Sequence, residues 1–232
     1  LKKYPEIIFE EGKFDSNDST NTYVQAGYTV SSSTVFDNTG TYGPYRAFNS
    51  VKGPYFWSSR TPAFDTNGNP GAAISSFTPG NGAAAVGAEY IILTLPQKIK
   101  LSRVSLYSRQ HTSRSNPPRD GYIYGSVDGI IWTLIKEYSD LGFNPNPTIN
   151  ELKIIDIDST DLYNHFALLV TKIYYSGGGS SKLYTNLAEL EYYGYEEGAG
   201  SQGDISIDTT FTSIMNTPQT TGANVYVDGS LG

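Results

Sequence analysis

From Tyr90 onward the chain is a series of short apolar-rich runs, each closed by turn residues. The runs Tyr90 to Leu95, Ile99 to Tyr107, Gly121 to Gly125, Ile131 to Glu137, Glu151 to Ile157, His165 to Tyr175 and Leu187 to Tyr195 have the lengths and β-branched or aromatic content of strands. Ala167-Leu168-Leu169-Val170 is apolar on both faces, which predicts a central strand buried between layers. Ala188, Leu190 and Tyr192 alternate with Glu189, Glu191 and Tyr193, which predicts a half-exposed strand. Two packed antiparallel sheets satisfy both patterns. Within "YGSVDGIIWTLI", Asp128-Gly129 supplies a residue that tolerates positive φ, so a hairpin is expected there.

The flanks read differently. Residues 1–22 are mixed, and their polar cluster Asp15 to Asn21 reads as loop, so this part is expected to be an N-terminal linker or lead-in strand. From Tyr23 the texture turns β-rich, and the sandwich is assigned to residues 23–195. Inside it, Pro62 to Ala88 shows little periodicity and is expected to be an irregular surface excursion. Residues 196–203 form a Gly-rich spacer, and residues 204–232 read as a short β-prone extension with its own Asp-Gly turn. That extension is too small for a core, so it is expected to lean on a neighbouring module or on an identical chain as a homo-oligomerisation segment.

Composition narrows the function. The Tyr, Gly, Thr and Pro content favours strands and turns over helices, giving an all-β class. With no cysteine there is no disulfide scaffold or thiolate metal site. A net charge of −7 opposes binding to phosphate backbones, so nucleic acid is not expected as a partner. No run reaches the roughly 18 apolar residues that cross a bilayer. The start, Leu1 to Pro5, has no initiator Met or signal-peptide core, so the chain reads as part of something longer. Catalysis is not expected either: of the two histidines, His165 precedes a run read as a core strand, His111 has serines but no acid beside it in sequence, and no Gly-x-Ser-x-Gly elbow occurs. The carboxylate pairs Asp156/Asp158 and Glu189/Glu191 share strand faces, a common solvated arrangement. Trp132, in register with Leu134, reads as core; Trp57 reads as either core or ligand platform.

The ordered set "EYIILTLPQKIKLSRVSLYSR", "GYIYGSVDGIIWTLI", "FALLVTKIY" and "LAELEYYGY", preceded by "YRAFNSVKGPYFWSS", resembles the discoidin or F5/8 type C family, which includes many carbohydrate-binding modules. The resemblance implies a discoidin-like jelly-roll β-sandwich of two antiparallel sheets that binds and does not catalyse, with its ligand loops at one end. A glycan on a cell or particle surface is the ligand it implies. A broader likeness to modules of large-virus and fibre-like surface proteins points to a virion surface or an extracellular setting. The alternative is a structural or protein-docking module of a viral fibre or capsid-associated protein. Membrane lipid is not expected, because Tyr42 to Tyr45 and Tyr55 to Trp57 are not strongly apolar tips.

On that frame, the candidate ligand residues are Tyr45, Arg46, Phe56, Trp57 and Arg60 in the entry loop, Arg109, His111 and Arg114 after the "SLYSR" run, and Tyr174 and Tyr175 before the Gly turn. A sugar needs hydroxyl partners and an apolar floor. Arg109 and His111 are expected to supply the first, and one of Trp57, Tyr174 or Tyr175 the second. The His plus two spaced Arg of the fucose-binding branch is not matched after Arg109, so fucose is not carried over. The resemblance also implies a structural calcium, held by the Arg46, Val51 and Ala188 carbonyls with Asn49 and Glu189. Asn49 stands where the family has Asp, which lowers the charge without removing an oxygen.

Overall fold

A computed structural model describes residues 1–17, 21–37, 40–52, 56–111, 115–175, 177 and 183–197. In chain order the strands are β1 (Lys2–Tyr4), β2 (Ser16–Asn17), β3 (Thr22–Gln25), β4 (Tyr28–Ser32), β5 (Trp57–Ser58), β6 (Ser76–Phe77), β7 (Val86–Gly87), β8 (Glu89–Tyr107), β9 (Pro118–Ser126), β10 (Thr133–Tyr138), β11 (Leu152–Asp156), β12 (Leu162–Ile173), β13 (Asn186–Leu187) and β14 (Glu189–Glu196). A 3-10 turn spans Pro44–Phe48, with Pro44 pre-set for its first position.

The two runs expected on either side of Pro96 join into one strand, β8, and this organises the fold. Its first half pairs with β4 and β12, and its second half with β11 and β14. One layer therefore runs β10-β9-β12-β8-β4-β3-β2, and the other β11-β8-β14-β1, all antiparallel. Ile91, Leu93, Phe166 and Leu168 from the first layer meet Val104, Leu106, Leu190 and Tyr192 from the second in one core, with the Phe166 and Tyr192 rings 5.5 Å apart. An all-β sandwich results.

Ala167 and Leu169 face away from that core, and the Pro62–Ala88 excursion is what buries them. Phe77 lies on this outer face with Ala88, Tyr124, Ala167 and Leu169. Its ring sits 5.2 to 5.4 Å from those of Tyr90, Tyr124 and Trp132. The segment looks aperiodic because it is held by isolated contacts, such as Trp132 N–H to the Pro79 carbonyl at 2.8 Å and Ile173 N–H to the Gly68 carbonyl at 2.9 Å. Gly68 has φ +78, and a Cβ there would lie 2.1 Å from the Ile173 carbonyl oxygen, so only glycine allows this approach.

Two strand readings change. Ile131 and Trp132 belong to the Asp-Gly turn, so Trp132 is half-buried against Phe77 and His165 and lies outside the central core, while Leu134 is exposed. The β14 strand is buried on both faces, Glu189 and Glu191 included. The cause is the N-terminal segment: β1 pairs with β14, Tyr4 and Phe9 enter the core, and Lys3 lies 3.6 Å from Glu191. The expected spacer and β-prone extension, residues 198–232 of them, lie outside the described residues.

Candidate functional site

The layer ends bring several loops together. Tyr107 at the end of β8 faces both Glu189 and Leu152, Pro118 opens β9 opposite Ile173, and Glu89 opens β8 opposite Val170. Hence the segments after Ser32, Tyr107, Tyr138 and Ile173 all gather at one end. A buried carboxylate fixes the first of them. Glu89 accepts from Ser33 Oγ at 2.7 Å, from the Thr34 hydroxyl and from the Ser75 N–H at 3.1 Å. Thr34 in turn accepts the Trp57 indole N–H at 3.3 Å and, through Oγ1, the Arg60 N–H at 3.0 Å.

On this frame sits a cleft of about 90 Å³ lined by Phe36, Tyr42, Phe56, Ser58, Arg109 and Tyr184. The aromatic rings form a chain: Phe36 to Tyr184 at 5.3 Å, Phe36 to Tyr42 at 5.4 Å, and Tyr42 to Phe56 at 5.1 Å. The Arg109 guanidinium carbon stands 3.9 Å above the centre of the Phe56 ring. Such stacking holds the planar guanidinium against the aromatic wall of the cleft. The backbone explains the convergence: β5 pairs with β13, and the Phe36 N–H bonds the Ser58 carbonyl at 2.8 Å. Phe36 is 40% exposed, although it is a large apolar side chain in a polar loop.

The sequence-predicted residues do not form one site. Phe56 and Arg109 come together in this cleft. Trp57 does not reach it: it is fully buried, packed beneath the loops with its N–H on Thr34, and so is core. Tyr45 is also core, its ring 4.6 Å from Tyr23 and 5.0 Å from Phe14, and burial pushes its phenol up to about 12. Arg46 turns toward the N-terminal segment, where Nη2 donates to Glu11 at 2.9 Å. Arg60 donates to the Ala73 carbonyl at 2.5 Å and pins the excursion. His111 lines a second depression with Gln110, Pro147 and Thr148. Tyr174 and Tyr175 line a third, with Thr66, Asn67, Arg119, Asp140, Pro145 and Ile173. Arg114 lies outside the described residues. Phe36, Tyr42, Ser58 and Tyr184 were missed. The exposed apolar Phe36 in a polar loop was the readable signal, whereas Tyr184 enters only through the β5–β13 pairing.

The carboxylate implied for calcium has features that suit a cation. Glu189 is 2% exposed; its Oε1 accepts from the Ser50 N–H at 3.3 Å, and its Oε2 is buried with no hydrogen-bond partner. Burial pushes its acid up to about 8. The Ser50 contact brings the 49–51 loop against this carboxylate, and within that loop Asn49 Oδ1 accepts from the Val51 N–H at 2.9 Å. Among the described residues no three acidic or imidazole groups cluster, so a cation here would have one carboxylate and would draw its other ligands from neutral oxygens.

The two histidines stand apart. His111 lies at the loop end, whereas His165 sits between Thr94 and Ser126 on neighbouring strands, its Nδ1 2.9 Å from Thr94 Oγ1 and its ring against Trp132. Burial pulls the His165 imidazole below its ordinary range, countered in part by Asp128.

No family model and no curated relative matches the chain. Among solved structures, a fragment assigned as a chitobiase from Bacteroides thetaiotaomicron superposes with a TM-score of 0.52 at 13% identity, covering 79% of this chain and 98% of that one. The CBM32-5 module of a family 89 glycoside hydrolase from Clostridium perfringens, in complex with GalNAc-β-1,3-galactose, gives 0.47 at 15% identity over 72% and 95%. The family 32 carbohydrate-binding module of Clostridium perfringens NanJ, in complex with galactose, gives 0.45 at 16% identity over 72% and 93%. The fold of the described residues is a discoidin-like β-sandwich.

Proposed function

We propose that this chain is a non-catalytic glycan-binding module that attaches a longer protein to carbohydrates on a cell or particle surface. The observation that carries this reading is the aromatic-walled cleft with Arg109 stacked on Phe56. Aromatic faces accept the C–H face of a pyranose, and a guanidinium replaces the water lost from its hydroxyls with charge-assisted hydrogen bonds. An extracellular or virion-surface setting accords with this role, and no helix among the described residues is long and apolar enough to cross a membrane.

Calcium belongs to the same proposal. Glu189, Asn49 and the Arg46, Val51 and Ala188 carbonyls would hold it. The bound ion would neutralise the buried carboxylate and tie the 49–51 loop to β14.

The test is a glycan array probed with the chain displayed multivalently, since single modules bind weakly. Folded Arg109→Ala and Phe36→Ala proteins should each lose about tenfold or more in affinity for the array hits, as expected for one charged hydrogen bond or one stacked ring. Folded variants that bind as the parent does would place the site elsewhere, and an empty array would leave a structural or protein-docking module as the better account.

A further inference from the structure

The Arg109 cleft has two neighbours at the same end of the sandwich. Arg109 lines the first depression, and the next two residues, Gln110 and His111, line the second with Pro147 and Thr148. Pro145, two residues before Pro147, lines the third together with Asn67, Arg119, Asp140 and Tyr174. Successive Cα atoms are about 3.8 Å apart, so linings that lie one or two residues apart in sequence place the depressions side by side. Resting on the glycan-binding reading above, we infer that the three depressions form one groove that holds several consecutive units of a linear oligosaccharide.

The groove is built in advance. The wall shared by the second and third depressions is the loop between β10 and β11, anchored on one flank by Asp140 N–H to Asp120 Oδ1 at 2.8 Å and Gly142 N–H to the Tyr174 hydroxyl at 2.7 Å. The other flank is held by Asn150 Nδ2 to the Ser108 carbonyl at 2.7 Å, Glu151 N–H to Ser108 Oγ at 3.0 Å and Gln110 Nε2 to the Thr148 carbonyl at 2.5 Å. Phe143 is buried between the two flanks, and the backbone at Pro145 and Pro147 is stiff. The opposite wall of the third depression, Thr66 and Asn67, is fixed by the close approach of Gly68 to Ile173. A wall ordered before binding costs little entropy when a ligand arrives.

The chemistry repeats along the groove. Each depression sets an apolar surface beside polar groups: Phe56 beside Arg109, Pro147 beside Gln110 and His111, and Tyr174 beside Asn67 and Arg119. The first, at about 90 Å³, is small, while the second and third are open depressions of about 420 and 370 Å³. This sequence of a tight end followed by open, polar-rimmed positions suits a chain that enters by one terminus and lies along the surface.

The test uses the full chain, displayed multivalently, against linear oligomers of one to six units of hexose, N-acetylhexosamine and hexuronic acid. Affinity for the best-bound series should rise about tenfold or more from one unit to four. A Thr66→Ala/Asn67→Ala double variant, with a melting temperature near the parent's, should lose that rise and keep single-unit binding, whereas Arg109→Ala should lose both. Length-independent affinity, or a rise that survives the double variant, overturns the groove and leaves the single-cleft reading standing. If no saccharide of any length binds, both fall together.

Discussion

Replacing Phe77 by alanine tests whether the aperiodic Pro62–Ala88 segment is part of the folded core. Phe77 is 4% exposed and has three ring neighbours, Tyr90, Tyr124 and Trp132, with centroids 5.2, 5.3 and 5.4 Å away. Truncating a buried Phe costs about 3–5 kcal/mol through lost transfer energy and the cavity left behind. Because Trp132 is itself half-buried, water can partly fill the gap, which places the expected loss near 3 kcal/mol, whereas Phe77→Leu, which keeps most of the volume, should cost about 1.5 kcal/mol or less. Urea denaturation followed by tryptophan emission measures this directly. Trp57 reports the central core, and Trp132, identified by a Trp132→Phe difference spectrum, reports the outer face. In the Phe77→Ala protein the Trp132 component should shift to the red before unfolding begins, and cleavage within residues 62–88 should accelerate. A loss below about 1 kcal/mol with an unshifted Trp132 component would show that the segment drapes over the sheet without stabilising it, and the account of the doubly apolar β12 strand would be wrong.

Gly68→Ala puts a Cβ 2.1 Å from the Ile173 carbonyl oxygen at φ +78, so the melting temperature should fall by an amount equivalent to about 2 kcal/mol or more; an unchanged melt would mean that the loop moves freely. In chelator, Glu189 takes up a proton on folding, so stability should fall as pH rises from 4.5 to about 8, by at most about 5 kcal/mol at about 1.4 kcal/mol per pH unit. Glu189→Gln should flatten that slope, and millimolar calcium should raise the parent's melting temperature but not the variant's; a parent indifferent to calcium at every pH would remove the site. Asp128 is held below its ordinary range by the Ile131 and Ile130 N–H groups and Ser126, so its contribution is present above that range and lost in acid. The melting-temperature gap between parent and Asp128→Ala should therefore narrow toward pH 2, and a gap independent of pH would assign the effect to the turn's shape alone.

The strands were legible because alternation is a local property: each of the seven runs read from the pattern corresponds to a strand or to half of β8. What the pattern could not show is which partner lies across a strand. Glu189 and Glu191 alternate with apolar residues as solvated positions do, yet β1 and the 49–51 loop cover them, through contacts between residues 139 or more apart in sequence. The same limit misplaced Trp132 and left Trp57 undecided between core and platform. Trp132 sits in an apolar run, but that run bends at Asp128-Gly129 and sets its ring against Phe77 and His165 on the outer face. Trp57 sits in a loop-like stretch, but its pairing with Leu187 carries it under the loops.

The candidate site follows the same physics, and this explains which half of it could be read. The family resemblance placed Phe56 and Arg109 at one end of the sandwich, because it aligns each loop to the strand before it. Tyr184 joins them through a two-residue ladder between β5 and β13, far too short for any periodicity to announce. Tyr174, four residues past Val170 of β12, lies at the loop end in a different depression from Arg109, since the hydrogen bonds that place it come from Asp140 and Gly142 in another loop. Loop residues thus take their position along the end of the sandwich from their own strand, and their neighbours from other strands. A sequence can supply the first; the second requires the register of every pair, and that is why the groove is visible only in the folded chain.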